Sequence, residues 1–405
     1  MKKKVIRITA VLFLSTTLLL QSTLLPAQGW TVMAPMPTAR TGPMAAALGK
    51  NIYVFGGLNE VAFNIVESYN SAIDAWKTCA PMPTPRVAGA AESVGGKIYV
   101  IGGYNEIDKE LGVVEIYDPS TDTWSTGSPM PTPRSEIFSC VINNKIYITG
   151  GWPSEYSQLE IYDPATDTWS SGTSCPSGII QHNSGVGYDG KFYVLGGKDY
   201  PGTTFYKSNY VYNPVGDSWS LKSEMPEKLF AGDADVLNGK IHYFGGSRTN
   251  VPTDNFDCHY IYNPSTDAWS TGLSLLEKRA DHVAVTVDNS VYVIGGRLTC
   301  QSCNPITNLN EKYTEPGLSL SDVKKDNSLN IYPVPARGSI FIEMKDGERE
   351  LKSLKIIDIA GRKIFSNNFR DERTMVDISN YPSGIYTVIV VTSKDIFSKN
   401  VVFRK

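Results

Sequence analysis

Short apolar runs alternate with polar turns along most of this chain, and the alternation itself repeats. Runs such as Ile52-Tyr-Val-Phe and Ile98-Tyr-Val-Ile end in a glycine doublet. Six doublets recur, at Gly56-Gly57, Gly102-Gly103, Gly150-Gly151, Gly196-Gly197, Gly245-Gly246 and Gly295-Gly296, with steps of 46, 48, 46, 49 and 50 residues. Self-similarity at a period of about 50 residues marks a repeat architecture. Two more landmarks hold the register. Tyr69, Tyr117, Tyr162, Tyr212 and Tyr262 each precede a tryptophan by seven residues, at Trp76, Trp124, Trp169, Trp219 and Trp269. A turn such as Asp118-Pro119 lies between Tyr and Trp, because proline presets its own φ and the Asx side chain bonds the backbone onward. Pairs that accept positive φ, such as Asp189-Gly190 and Asn238-Gly239, precede the glycine-doublet strands, as primed hairpin turns require.

Each unit therefore reads as four short antiparallel strands, A to D. Strand A is small and apolar, B ends in Gly-Gly, C carries the Tyr and D the Trp. No long segment keeps helical periodicity, so the body is expected to be all-β. Tyr313 begins a sixth strand C, but Leu320 stands where its tryptophan belongs. The missing tryptophan is Trp30, which precedes Gly56 by the 26 residues seen in most of the other units. The N-terminal strand is thus expected to complete the last unit beside Tyr313, which hides both end strands of the ring.

Gly-Gly after a strand, then Tyr, then Trp, six times over residues 29–317, resembles the kelch-repeat family. That resemblance implies a six-bladed β-propeller spanning 28–317. The Trp-Asp ending and Gly-His opening of WD-type propellers are missing. The first 27 residues carry Lys2, Lys3, Lys4 and Arg7, then an apolar run to Leu25 interrupted by Ser, Thr and Gln. This three-part design reads as a signal peptide over 1–27, and no other segment is long and apolar enough to anchor the mature chain in a bilayer.

Composition shifts after Pro316. Residues 318–327 read as a polar linker, and 328–405 as alternating strands of a small β-sandwich. Tyr332-Pro-Val-Pro-Ala336, Asp358-Ile-Ala-Gly-Arg362, Gly384-Ile-Tyr386 and the basic end Lys399 to Lys405 resemble the C-terminal sorting domain of the type IX (Por) secretion system of Bacteroidetes. Val334 replaces the usual Asn of the first motif. The resemblance implies Sec export, recognition of 328–405 by the type IX translocon, and a secreted or outer-surface location on a Gram-negative bacterium. An accessory sandwich that binds a ligand is the alternative.

With 38 basic and 41 acidic residues and a net charge of −3, the chain has no basic run outside the signal peptide that suits nucleic acid. An extracellular location permits disulfides. Cys300 and Cys303 sit close together in a loop and suit a local disulfide; a redox motif would open a helix, and a zinc site needs two more ligands. No metal or cofactor is called for.

The spacing also places the variable part. Trp to Gly-Gly hardly changes, whereas Gly-Gly to Tyr takes 12, 14, 11, 15, 16 and 17 residues. The B–C and D–A loops share one face, where binding groups are usually carried. Ten residues after the Trp lie Arg40, Arg86, Arg134 and Arg279, with Ile179 and Leu229 in the other two units. These arginines are expected to ring the channel mouth, beside Glu136, Asp281, His182 and His282, with Asp233 and Asp235 from the fifth unit. Four guanidiniums there suit a carboxylate or sulfate, and the kelch resemblance implies that such loop arginines contact ligands. The alternative is that a repeated Arg bonds backbone carbonyls of the next blade. Trp152 opens the third B–C loop, Tyr104 holds that place in the second, and both can stack on a sugar or a partner protein.

The expected function is a non-catalytic module that binds an extracellular glycan or protein through its loop-bearing face. The alternative is a carbohydrate-active kelch enzyme such as a sialic acid mutarotase or epimerase, with Arg134 and Glu136 or Arg279 and Asp281 holding a carboxylate and moving a proton. A copper-radical oxidase is disfavoured, since only four His occur and none follows a Tyr.

Overall fold

The computed structural model describes residues 29–153, 157–176, 184–199, 203–249, 251, 254–299, 305–315, 323–324, 329–344, 351–358, 363–368, 373–392 and 396–404. The expected signal peptide, Ile179, His182, Cys300 and Cys303 lie outside these residues. The chain divides between Glu315 and Pro316 into two compact units. Among the described residues there is no α-helix.

The first unit holds six four-stranded antiparallel sheets. Their innermost strands are Met44–Leu48, Ala90–Val94, Phe138–Ile142, Ser184–Tyr188, Asp233–Leu237 and Val283–Val287, and each touches the next, the last returning to the first. We number the sheets, or blades, 1 to 6 in that order. Blade 6 takes its outer strand, Gly29–Val32, from the start of the chain, with Trp30 paired to Tyr313. This is the closure that the tryptophan spacing predicts.

The repeated residues knit neighbouring blades together. The indole N–H of Trp76, Trp124, Trp169, Trp219 and Trp269 donates to the carbonyls of Ala34, Ala80, Ser128, Thr173 and Ser223, at 2.7–3.0 Å. Trp30 donates to Leu273 in the same way and completes the circle. The phenol of Tyr69, Tyr117, Tyr162, Tyr212 and Tyr262 donates to an aspartate five residues on. That aspartate also accepts a backbone N–H from the preceding blade. Tyr313 has no such aspartate, because the chain leaves the blade there and strand D arrives from Trp30.

The glycine doublets serve the same seams. Gly56 and Gly57 both have positive φ, and the Gly57 N–H donates to the Arg86 carbonyl of blade 2 at 2.9 Å. A Cβ on Gly56 would lie 2.2 Å from that carbonyl oxygen, so no larger residue fits.

The second unit has a five-stranded sheet, built around Leu351–Asp358, Gly384–Thr392 and Ile396–Phe403, and a three-stranded sheet of Leu329–Tyr332, Ser339–Met344 and Arg373–Asp377. Alternate residues of both sheets, among them Ile331, Ile342, Ile356, Val376 and Val388, share one buried cluster, the pattern of an antiparallel sheet with one face in a core.

Candidate functional site

Backbone hydrogen bonds between neighbouring blades frame the channel where strand A begins. Gly42, Ala88, Glu136, Ala231 and Asp281, each two residues past the repeated Arg position, have φ of 53–57°. The Ala88 N–H donates to Gly42, Glu136 to Ala88, Asp281 to Ala231, and Gly42 to Asp281 across the closure, at 2.7–3.0 Å. A left-handed Glu or Ala is uncommon and costs on the order of 1 kcal/mol or more. The bonds to the neighbouring blades hold it there. Glu136 on blade 3 and Asp281 on blade 6 therefore stand on opposite blades, and Asp281 is gripped by Arg297 through Nε at 2.6 Å and Nη2 at 2.5 Å.

The four arginines are not at this surface. Arg40, Arg86, Arg134 and Arg279 are each 0% exposed. Arg86 donates from Nη2 to Glu115 at 2.6 Å and from Nη1 to the carbonyls of Gly102 and Val113, and Arg134 donates to Glu160 at 2.7 Å. Arg40 pairs with Glu67 and Arg279 with Glu311 in the same arrangement. The expectation that these guanidiniums ring the mouth is corrected for a physical reason. Each is spent on a carboxylate and, in Arg40, Arg86 and Arg134, on carbonyls of its own blade rather than the next.

The sequence carries an unread signal for this pairing. Glu67, Glu115, Glu160 and Glu311 stand two residues before the repeated tyrosine in the four arginine-bearing blades. Where Ile179 and Leu229 replace the arginine, Tyr210 and Tyr260 replace the glutamate.

His282 contributes to the cavity wall but is itself buried. A Cβ on Gly245 would meet its Cε1 at 2.7 Å, so the ring packs beneath the blade 5 doublet. Burial, reinforced by Arg279, pushes its pKa down to about 3, which keeps it neutral. Trp152 and Tyr104 line the cavity at half-buried positions, each bridged through its backbone to the residue after the Arg position, Ser135 and Val87.

The channel is a cavity of about 1020 Å³, and the mouth residues Tyr104, Glu136, Trp152, Lys198 and Asp281 belong to its wall. Deeper in lie three carboxyls, Glu92 on blade 2 and Asp233 and Asp235 on blade 5, directly opposite. The Ser139 hydroxyl donates to Glu92 at 2.7 Å; Ser184 Oγ and the Ala284 N–H donate to Asp233 at 3.0 and 2.8 Å. All three keep part of their surface open to the channel. Even so, removal from bulk water pushes Glu92 and Asp233 up to about 7 and raises Asp235, and Glu92 is raised further by the two aspartates. Sequence reasoning brought Asp233 and Asp235 to the channel and missed Glu92, whose signal is an acid within an otherwise small, uncharged strand A.

A ring of four-stranded antiparallel blades around a lined cavity defines a β-propeller. A family model described as the KLHDC2/KLHL20/DRC7 Kelch-repeats domain matches residues 42–246, and the chain belongs to this kelch-repeat family. Residues 330–404 match the secretion system C-terminal sorting domain, which marks the protein for secretion to the cell surface or extracellular space. No curated protein matches the chain. Among solved structures, the one described as "Structure of YjhT" is similar at a TM-score of 0.60 and 18% identity, covering 68% of this chain and 95% of that one. This similarity concerns the fold.

Proposed function

We propose that this is a secreted binding module that takes a hydroxyl-rich, uncharged ligand, such as a glycan end, at the loop-bearing mouth of its channel. One observation carries the reading. With the repeated arginines withdrawn into the blades, the cavity wall carries the aromatic residues Trp152 and Tyr104 together with the carboxylates Glu136 and Asp281. Carboxylates accept hydrogen bonds from hydroxyls, and rings pack on the apolar face of a sugar. A carboxylate or sulfate ligand would instead meet these acids, with Arg297 already committed to Asp281. The expected path is Sec export through residues 1–27, then recognition of 328–405 by the type IX translocon of a Bacteroidetes cell.

The test is a glycan array with the purified protein and Trp152→Ala. Binding to neutral glycans that drops at least tenfold in the variant is expected; binding only to sialylated or sulfated glycans overturns the reading.

Mutarotation of a sugar acid is the second reading. It is favoured by Glu92 and Asp233, whose pKa near 7 suits proton transfer at neutral pH. Anomer-resolved NMR on sialic acid tests it; an unchanged mutarotation rate with added protein rejects it.

A further inference from the structure

The sorting unit divides its motif residues into those that hold the fold and those left outside. Ala336 and Tyr386 are buried, as is Phe403 near the basic end. Ala336 exchanges backbone hydrogen bonds with Val402 and Arg404, and Tyr386 stacks on Phe403 at 4.4 Å between ring centroids. A partner cannot touch residues placed there, so recognition falls to what the sheets present outward.

The three-stranded sheet presents something unusual. Alternation along Leu329–Tyr332, Ser339–Met344 and Arg373–Asp377 sends Ile331, Ile340, Ile342 and Val376 to the core. The opposite face should be polar. Instead Tyr332, Phe341 and Met375 stand side by side in one cross-strand row, because the register pairs Tyr332 with Phe341 and Phe341 with Met375. The two rings stack at 5.7 Å, and Met375 is 60% exposed. In the adjacent row, Asn330 and the Tyr332 hydroxyl donate to Glu343 at 3.0 Å, and Arg373 lies 4.7 Å over the Phe341 ring and 5.7 Å over Tyr332. An aromatic row capped by a half-exposed arginine has the composition of a protein-binding hot spot.

We propose that the Tyr332–Phe341–Met375 row, with Arg373 on its rim, is the surface by which the secretion machinery recognises this protein. The occupant follows from the unit itself. Residues 330–404 match a domain whose described role is sorting by a secretion system, and the row lies within that span. It begins at Tyr332, the first residue of the Tyr-Pro-Val-Pro-Ala motif, whose Val334 is 45% exposed. Its arginine rim suits a translocon surface that offers an apolar side chain next to a carboxylate.

The experiment uses the full chain in the producing bacterium. Met375→Glu and Arg373→Glu alter exposed positions, and Lys355→Glu, exposed on the other sheet and outside the sorting motifs, is the control. Purified variants are first matched to the parent in thermal melting. The extracellular fraction is expected to fall about tenfold for Met375→Glu and Arg373→Glu, with folded protein held in the periplasm, and to be unchanged for Lys355→Glu. Should a variant melt early, a photocrosslinker at 375 in the parent chain replaces it, and a crosslink to a translocon component is expected. Normal export of the folded variants, or a crosslink from 375 to the protein's own propeller or to a second copy, overturns the proposal.

Discussion

Arg86→Ala separates the two roles that a repeated arginine can play. In the folded protein its guanidinium meets the Glu115 carboxylate at 2.6 Å and three backbone carbonyls, of Gly102, Val113 and Thr84, at 3.0–3.4 Å, with no exposure to solvent. Truncation leaves Glu115, itself buried, with Thr84 as its remaining side-chain donor. Removing one partner of a buried ion pair costs about 3–5 kcal/mol. For a domain of this size each kcal/mol moves the midpoint by about 2–4 °C, so a fall of roughly 6–20 °C is expected. The chain also contains the solution without charge: blade 5 places Leu229 and Tyr260 at the equivalent positions. The double variant Arg86→Leu/Glu115→Tyr should therefore recover most of the loss, since replacing a buried pair by packed apolar groups is often neutral. Differential scanning calorimetry and urea titration of the parent, single and double variants form the assay. A single variant that loses less than about 1 kcal/mol, or a double variant no better than the single, refutes the structural role of the pair.

Two further outcomes follow. Glu92 and Asp233 have folded pKa values near 7, above the ordinary 4.5 and 3.8. The folded state therefore binds protons more tightly than the unfolded chain between those limits, so stability should fall as pH rises from about 4 to 7 and level off above. Glu92→Gln should flatten that slope and stabilise the protein at pH 8 by about 1–3 kcal/mol, read by melting across pH; an unchanged slope counts against the channel acids. Deleting residues 29–33 strips the outer strand from blade 6 and leaves the Asn310–Thr314 edge unpaired. Size-exclusion chromatography should show aggregates rather than the monomer-sized peak; a monodisperse, equally stable deletion would mean the ring does not depend on this strand.

Some of the site was legible before any coordinates and some was not. Glu136, Asp281, Trp152 and Tyr104 reached the cavity wall because their offsets from Trp and Gly-Gly fix a position in a blade. The arginines kept their offsets too, yet an offset gives a position along the strand and not the partner of a flexible side chain. Arg40, Arg86, Arg134 and Arg279 turn inward because Glu67, Glu115, Glu160 and Glu311 sit on the third strand of the same sheet, 26 or more residues away in sequence.

The sequence by itself determined the repeat, the all-β blade and the closure by Trp30. The repeat and the blade rest on local spacing, strand alternation and turn chemistry, which act within about 50 residues; the closure follows from counting, since the last unit lacks the tryptophan strand that the start of the chain supplies. Only the tertiary structure decided which charges face the channel. Whether a charged group is buried and paired or open to water depends on neighbours from other strands and opposite blades. Glu92 and Asp233 are 141 positions apart in the chain and confront each other only once the ring has closed.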